Sequence, residues 1–142
     1  MISSLGKALG LTGGVIGGDS AFINQIKIND TFVSSGGMNA AFVQTMADAA
    51  TIYIQQHQKL IENLHYIDRK LIKNKAVHFA SNYPMIYPEI EGIDAIFTSN
   101  KIIITNFKYP TDLKYLNRII ITANHQKQDL DKIIEILNQY QI

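Results

Sequence analysis

Apolar side chains recur at intervals of three and four residues through the middle of the chain, which is the spacing of one helix face. The stripe extends over about thirty residues and weakens around Gln56 and His57. The residues that carry it are Phe42, Met46, Ala49, Tyr53, Leu60, Leu64, Ile67 and Leu71. Because a coiled coil needs more heptads and an unbroken seam, the stripe predicts one long helix that runs across two packed bodies.

Short β-branched runs replace this pattern from residue 76 onwards. Runs at 85–87, 102–105 and 119–122 are bounded by turn residues and predict strands, the first of them closed by Pro88. A last helical stripe consists of Leu130, Ile133, Ile134, Leu137 and Tyr140. Short loops between strands favour antiparallel pairing. The fold class predicted for residues 57–142 is therefore α+β, with a short, mainly antiparallel sheet and helices on one face.

The first 38 residues contain every glycine of the chain except Gly92. Between the glycine clusters, residues 21–28 can form a short helix, and a side-chain oxygen of Asp19 or Ser20 can cap it. These shifts in pattern divide the chain into three regions. They are a glycine-rich segment at 1–38, a long connecting helix at 39–75 and a small α+β domain at 76–142.

Composition narrows the classes of function. The chain has 142 residues, 13 Lys+Arg against 12 Asp+Glu, and no cysteine. This length is typical of one domain, and the balanced charge argues against a nucleic-acid partner. The apolar runs are too short to span a membrane, and the start of the chain does not have the pattern of an export signal. The absence of cysteine excludes disulfides and thiolate sites and fits a reducing compartment. We expect a cytoplasmic protein without a membrane partner.

The glycine-rich segment does not contain a standard phosphate-binding motif. Gly6-Lys7 is followed by Ala8 rather than a hydroxyl residue, and residues 13–18 lack the spacing of a dinucleotide fingerprint. What remains is a lysine between small residues. Burial there would penalise its ammonium form, and a neutral amine is the nucleophile that a Schiff base requires. By composition and spacing alone, a solvated loop lysine between structural glycines is the favoured explanation of the segment.

Residues 4–10, Ser-Leu-Gly-Lys-Ala-Leu-Gly, followed by Gly13 and Gly14, resemble the pyridoxal-phosphate attachment signature of class II aminotransferases. Within that class they are similar to the α-oxoamine synthases. Phe-Val-Ser-Ser at 32–35 resembles a second motif of that family, and residues 117–125 resemble its Arg-Ile and Ala-His stretch. The resemblance implies part of a fold type I pyridoxal-phosphate transferase, comprising the lysine loop, an interdomain helix and the small C-terminal domain.

The resemblance also implies roles for individual residues. Lys7 matches the lysine that forms the internal aldimine and then moves the proton at the substrate Cα, and Ser4 matches a contact to the cofactor phosphate. Ser34 and Ser35 match residues that reach the phosphate in the neighbouring subunit, which implies a homodimer. Arg118 matches the arginine that holds the amino-acid carboxylate through two parallel hydrogen bonds. From the residues alone, the favoured explanation of Arg118 is a surface ion pair at the start of a strand.

The activity implied is a transferase reaction that condenses an amino acid with an acyl-CoA thioester and releases CO₂. Residues 36–39 stand where the family usually has prolines, so the acyl-CoA contact surface is expected to differ. In the family, the ring-stacking residue, the aspartate beside the pyridinium nitrogen and the phosphate loop all precede the lysine, and this sequence starts six residues before Lys7. We therefore expect the chain alone to bind pyridoxal phosphate weakly or not at all and to be inactive.

Two other functions remain open. The first is a noncatalytic α+β interaction module with a structural glycine-rich loop, and the second is a lysine Schiff-base enzyme without a cofactor. No metal site is expected, because His57 and His65 are eight residues apart and no histidine pair has the i, i+4 spacing. Asp129 and Asp131 are explained by the dipole of the last helix.

Overall fold

The computed structural model describes residues 1–7, 9–110 and 116–140 of the chain. They form two compact units, Met1–Ile54 and Gln55–Ile142. Within the described ranges, no helix combines the length and the apolar character that crossing a membrane requires.

The first unit starts with a β-hairpin in the glycine-rich segment. Strands β1 (Ile2–Ser4) and β2 (Gly14–Ile16) pair antiparallel. Three helices follow, and they are α1 (Ser20–Lys27), α2 (Asp30–Val33) and α3 (Ala40–Asp48). The short helix predicted near 21–28 is confirmed, and Asp19 caps it by accepting a 2.9 Å hydrogen bond from the Phe22 N–H. The hairpin was not predicted, because its strands are short and rich in glycine and serine.

The long helix predicted for 39–75 is wrong as a continuous element. Helix α3 ends at Asp48, and α4 (Ala50–Lys70) begins after Ala49, whose ψ of 0° departs from helical geometry. Just before this point, the Thr45 hydroxyl donates to the Ala41 carbonyl, a back-bond that often bends helices. The spacing of apolar residues does not reveal this interruption, because apolar side chains recur every three or four residues both before and after Ala49.

The second unit contains a four-stranded sheet. In chain order its elements after α4 are β3 (Val77–Phe79), β4 (Met85–Pro88), α5 (Ile93–Ser99), β5 (Thr105–Phe107), β6 (Leu116–Ile120) and α6 (Lys127–Asn138). The sheet has the order β3-β4-β6-β5, and every pair is antiparallel as predicted. Ile86 and Ile119 are paired and buried, whereas Ile120, paired with Met85, is exposed. One face of the sheet therefore contributes to the core.

Two of the three predicted strands need correction. The strand predicted at 102–105 is observed at Thr105–Phe107, because the Ile102 N–H donates to the Phe97 carbonyl at the end of α5 instead of joining a strand. The strand predicted at 119–122 is Leu116–Ile120. The strand predicted at 85–87 is confirmed, although Pro88 is its last residue rather than a residue beyond it.

The hydrophobic core of the second unit consists of helix and sheet residues together. The final stripe is confirmed as helix α6, although Tyr140 lies beyond its end and packs at the edge of the core. The C-terminal half of α4, which contains Leu64 and Ile67, faces the same core. The core residues with no more than 2% exposure are Leu64, Ile67, Ile86, Ile93, Phe97, Ile121, Leu130 and Leu137.

Polar contacts join α4 to α6 at the surface of this core. Lys70 Nζ and Tyr66 OH both donate to Asp131 Oδ1 at 2.8 Å. These hydrogen bonds, from Lys70 first and then Tyr66, lower the pKa of Asp131. The Lys70 pKa is raised by its hydrogen bonds to Asp131 and Tyr66. Asp131, first assigned to the helix dipole, is thus a partner of two specific side chains.

Candidate functional site

The lysine loop, residues 5–13, connects β1 to β2. The Leu5 N–H donates to the Gly13 carbonyl and the Leu11 N–H donates to the Leu5 carbonyl, each at 3.0 Å. Leu5 and Leu11 are 4% and 5% exposed, so two apolar side chains anchor the loop. The Tyr53 hydroxyl adds a 3.0 Å hydrogen bond to the Leu9 carbonyl. The loop is therefore held at its ends and at one point between them, and Ala8 lies outside the described residues.

Lys7 is exposed on this loop. Its carbonyl accepts a hydrogen bond from the Gly10 N–H at 3.2 Å. Of the two interpretations of the segment, a buried lysine and a solvated loop lysine, the structure shows the solvated one, because Gly6 and Gly10 have no side chains to cover the lysine. The amine is accessible to a carbonyl compound from solvent.

Ser4 is the last residue of β1 and lies close to Lys7 along the chain. Its hydroxyl oxygen accepts a hydrogen bond from the Gly6 N–H at 3.3 Å, and the side chain is exposed. The hydroxyl proton is not used in that bond, so it can be donated to an anion. Opposite Ser4, a Cβ atom at Gly14 would lie 3.1 Å from the Ser3 carbonyl oxygen, which accounts for a glycine at this position.

Ser34 and Ser35 follow helix α2 and are exposed. The Ser34 N–H donates to the Asp30 carbonyl at 2.9 Å, and the Ser35 hydroxyl donates to the Phe32 carbonyl at 2.7 Å. Among the residues that the structure describes, no hydrogen bond or ion pair joins either serine to Lys7. Their positions follow from the end of the helix, and their role in cofactor binding stays a prediction.

Arg118 lies in the second unit, where it lines a pocket of about 150 Å³. It is on β6, directly opposite Thr105 of β5. His125 is the third polar side chain of the pocket, and its Nδ1 accepts a 3.0 Å hydrogen bond from the Thr122 N–H. The rest of the wall is isoleucine, namely Ile102, Ile103, Ile104, Ile119, Ile120 and Ile133. The pocket thus combines one cation with two further polar side chains and six isoleucines.

The Arg118 guanidinium is not part of a surface ion pair with any residue that the structure describes. Its Cζ lies 5.3 Å from the centroid of the Phe107 ring. Its Nε is buried and has no hydrogen-bond partner in the described ranges of the chain. An arginine held in this way can donate two parallel hydrogen bonds to a carboxylate.

Sequence reasoning missed the surroundings of Arg118. His125 was noted as part of the stretch 117–125 that resembles the family, and Thr105 and Phe107 were not singled out. Their positions beside Arg118 depend on the register of β5 against β6, which pairs Thr105 with Arg118. The sequence contains no signal for that register, because the predicted strand began three residues too early.

Comparison with known proteins gives a family match. The family described as "Aminotransferase class I and II" matches residues 1–137 of the chain. The chain belongs to this family. Aminotransferases of this family depend on pyridoxal phosphate. The resemblance to α-oxoamine synthases deduced from the motifs is confirmed.

Curated relatives within the family are longer than this chain. A putative 8-amino-7-oxononanoate synthase from Rippkaea orientalis is 26% identical over 98% of the chain, and the chain covers 39% of that protein. An 8-amino-7-oxononanoate synthase from Bacillus pumilus is 27% identical over 97% of the chain, with 38% of its own length covered. The chain therefore spans about two fifths of the length of these relatives.

Two solved structures share the fold of this chain. One is the crystal structure of 8-amino-7-oxononanoate synthase from Francisella tularensis, with a TM-score of 0.63 and 19% sequence identity. The match covers 97% of this chain and 44% of the chain in that structure. The other is serine palmitoyltransferase from Sphingomonas wittichii, with a TM-score of 0.64 and 12% sequence identity. The match covers 97% of this chain and 38% of that protein's chain. The predicted fold class, part of a fold type I pyridoxal-phosphate transferase, is confirmed.

Proposed function

We propose that this chain contributes the attachment lysine and the carboxylate-binding arginine of a pyridoxal-phosphate-dependent acyltransferase. The reaction is the condensation of an amino acid with an acyl-CoA thioester. The observation that carries the proposal is the exposed Lys7 on an anchored loop, in a chain whose family match extends over residues 1–137. In this proposal residues 1–38 are the lysine loop with part of the large domain, 39–75 the connecting region and 76–142 the small domain.

The side chains present fit two ends of the cofactor. The exposed amine of Lys7 can react with an aldehyde, and the hydroxyl of Ser4 can donate to a phosphate oxygen. When bound, pyridoxal phosphate supplies an electron sink for a carbanion at the substrate Cα. Lys7 then moves the proton at that Cα, while Arg118 orients the substrate through its carboxylate. Ser34 and Ser35 serve the phosphate of a second subunit in a homodimer.

The same structure supports the proposal that the chain alone is inactive. Leu5 and Leu11 are the only residues of the first unit that are buried within its described part. An active site needs walls that exclude water and fix the reacting atoms, and two leucines do not form such walls around Lys7. We therefore propose weak cofactor binding by this chain and catalysis only when more polypeptide encloses the lysine.

Chemical labelling tests the assignment of Lys7. The chain is incubated with pyridoxal phosphate, reduced with borohydride, digested and mapped by mass spectrometry. We expect the label to be concentrated at Lys7 and to be absent from that peptide in Lys7→Ala. Lys27→Ala is the matched control, since Lys27 is also an exposed lysine of the first unit, and it should leave the labelling of Lys7 unchanged.

Labelling spread evenly over the exposed lysines, or a total yield that Lys7→Ala does not reduce, would contradict the proposal. That result would favour the other interpretation, a noncatalytic α+β interaction module whose glycine-rich loop is structural.

A further inference from the structure

The side chain that faces the Arg118 guanidinium is an aromatic ring rather than a carboxylate. Thr105 is the direct partner of Arg118 across the β5-β6 ladder, and Phe107 is two residues further along β5 on the same face. A diagonal neighbour of this kind is within reach of a long side chain. The 5.3 Å between the Arg118 Cζ and the Phe107 ring centroid is within the range of a cation–π contact.

The Phe107 ring is itself held by a second aromatic ring. The centroids of Phe107 and Tyr109 are 4.9 Å apart and the planes are inclined at 83°, which is an edge-to-face contact. Such a contact restricts the rotation of the Phe107 ring, so that its position relative to the guanidinium is defined by packing on both sides.

An aromatic ring and a carboxylate can both hold an arginine side chain, but they differ in whether they use its N–H donors. Attraction to a ring uses the positive charge but accepts no conventional hydrogen bond, so the N–H groups of the guanidinium stay available. A carboxylate partner would occupy those donors. The buried Nε of Arg118 without a partner in the described ranges shows that at least one donor is unused. Burying such a donor is costly unless a ligand eventually satisfies it.

We propose that Phe107 is a positioning residue, which holds the Arg118 guanidinium in the pocket with its donors free for a carboxylate ligand. The proposal rests on the substrate role proposed for Arg118 and adds the side chain that makes this role possible. The ring orients the arginine without neutralising it, and the pocket lined by Arg118 has space of about 150 Å³ in which a carboxylate can approach the guanidinium.

Nuclear magnetic resonance of the full chain tests this directly, because the sequence contains two arginines, Arg69 and Arg118. Each gives one Nε–H cross-peak, and Arg69→Lys assigns them. Sodium acetate is the carboxylate probe, and acetamide at the same concentration is its neutral isostere. We expect acetate to shift the Arg118 peak in a saturable way, acetamide to have no such effect, and the exposed Arg69 to show no saturable response.

Two variants separate positioning by the ring from simple packing. Phe107→Leu keeps an apolar side chain and removes the ring, and we expect it to weaken acetate binding about two- to five-fold. Phe107→Tyr keeps the ring and should retain the affinity of the unsubstituted chain. Equal affinity in Phe107→Leu, or equal shifts by acetate and acetamide, would overturn the proposal. So would the lack of a saturable shift in the unsubstituted chain.

Should Phe107→Leu fail to fold, the unsubstituted chain still provides a test. A nuclear Overhauser effect between the Arg118 Hε and the Phe107 ring protons supports the contact, and its absence overturns it. The titration contains no pyridoxal phosphate. A negative titration beside normal labelling of Lys7 therefore rejects the role of Phe107 alone, and failed labelling beside a normal titration rejects only the proposed function of Lys7.

Discussion

The two units of the chain contain similar residues and bury them very differently. Phe97 in the second unit is completely buried, whereas Phe32 in the first unit is 46% exposed. Helices α1, α2 and α3 bury no residue, while α6 alone buries five. Apolar residues are abundant in both units, so the difference lies in what their helices can pack against.

This contrast shows that the first unit is organised mainly by local hydrogen bonds. Its helices are capped by Asp19, Asn29 and Asn39, and each of these side chains accepts a hydrogen bond from a backbone N–H of the first turn. A cap contributes about 1 kcal/mol, which is much less than the burial of several large side chains. The free energy of unfolding of this chain should therefore come mainly from the second unit.

The largest effect on the free energy of unfolding is expected from a substitution in the core of the second unit. Phe97→Ala should lower the free energy of unfolding by about 3–5 kcal/mol, because it leaves a cavity beneath α5. The same change at Phe32 is the matched control and should cost at most about 1 kcal/mol, since that ring is half exposed. Urea denaturation of the full chain measures both. Similar losses for the two variants would show that the first unit has a packed core around Phe32.

The same contrast explains which parts of the fold the sequence could predict. Helix α6 was predicted correctly, since its stripe faces one core and the helical period is visible in residues such as Leu130 and Ile133. The cap at Asp19 was predictable for a different reason, because it is a contact between residues three positions apart. The β1-β2 hairpin was missed, since strands of three residues containing glycine and serine have no clear alternation.

The candidate site follows the same division. Lys7 and Arg118 could be singled out from motifs, which are strings of neighbouring residues. The ring beside Arg118 could not be predicted, because its position depends on tertiary structure, and for Lys7 the sequence left burial and solvent exposure both open. Phe107 comes within 5.3 Å of Arg118 only through the pairing of two strands whose register apolar spacing does not specify.

A smaller effect on stability is expected from removing a helix-capping aspartate, and the two units each offer one for comparison. Asp129 accepts a 2.9 Å hydrogen bond from the Gln126 N–H at the start of α6, and Asp19 accepts one of equal length from the Phe22 N–H at the start of α1. Asp129→Ala should lower the free energy of global unfolding by about 1 kcal/mol, because α6 is part of the core. Asp19→Ala should leave this value unchanged and reduce helicity only within α1.

Urea denaturation followed by circular dichroism measures the first effect, and backbone chemical shifts of residues 20–27 measure the second. A loss of global stability in Asp19→Ala as large as that in Asp129→Ala would mean that α1 unfolds together with the core, contrary to the contrast drawn between the units.

The smallest effect concerns the polar contacts between Asp131, Lys70 and Tyr66. The pKa of Asp131 is lowered by hydrogen bonds from Lys70 and Tyr66, so its contribution is present above the ordinary value of about 3.9 and is lost as the pH falls through the lowered pKa. Both charged groups are solvent-accessible and screened by salt, which keeps the effect small. Asp131→Asn should therefore lower Tm slightly at pH 7, and the difference from the unsubstituted chain should shrink in acid and in high salt.

Asp48→Asn is the matched control for this last comparison. Asp48 is an exposed carboxylate in α3 that accepts a 2.8 Å hydrogen bond from Gln44, and it lies in the unit without a buried helix face. Its replacement should leave Tm unchanged at every pH, because no core depends on that contact. Thermal scans between pH 3 and pH 7 distinguish the two variants. A difference between Asp131→Asn and the unsubstituted chain that is independent of pH would mean that Asp131 stabilises α6 through packing rather than through its charge.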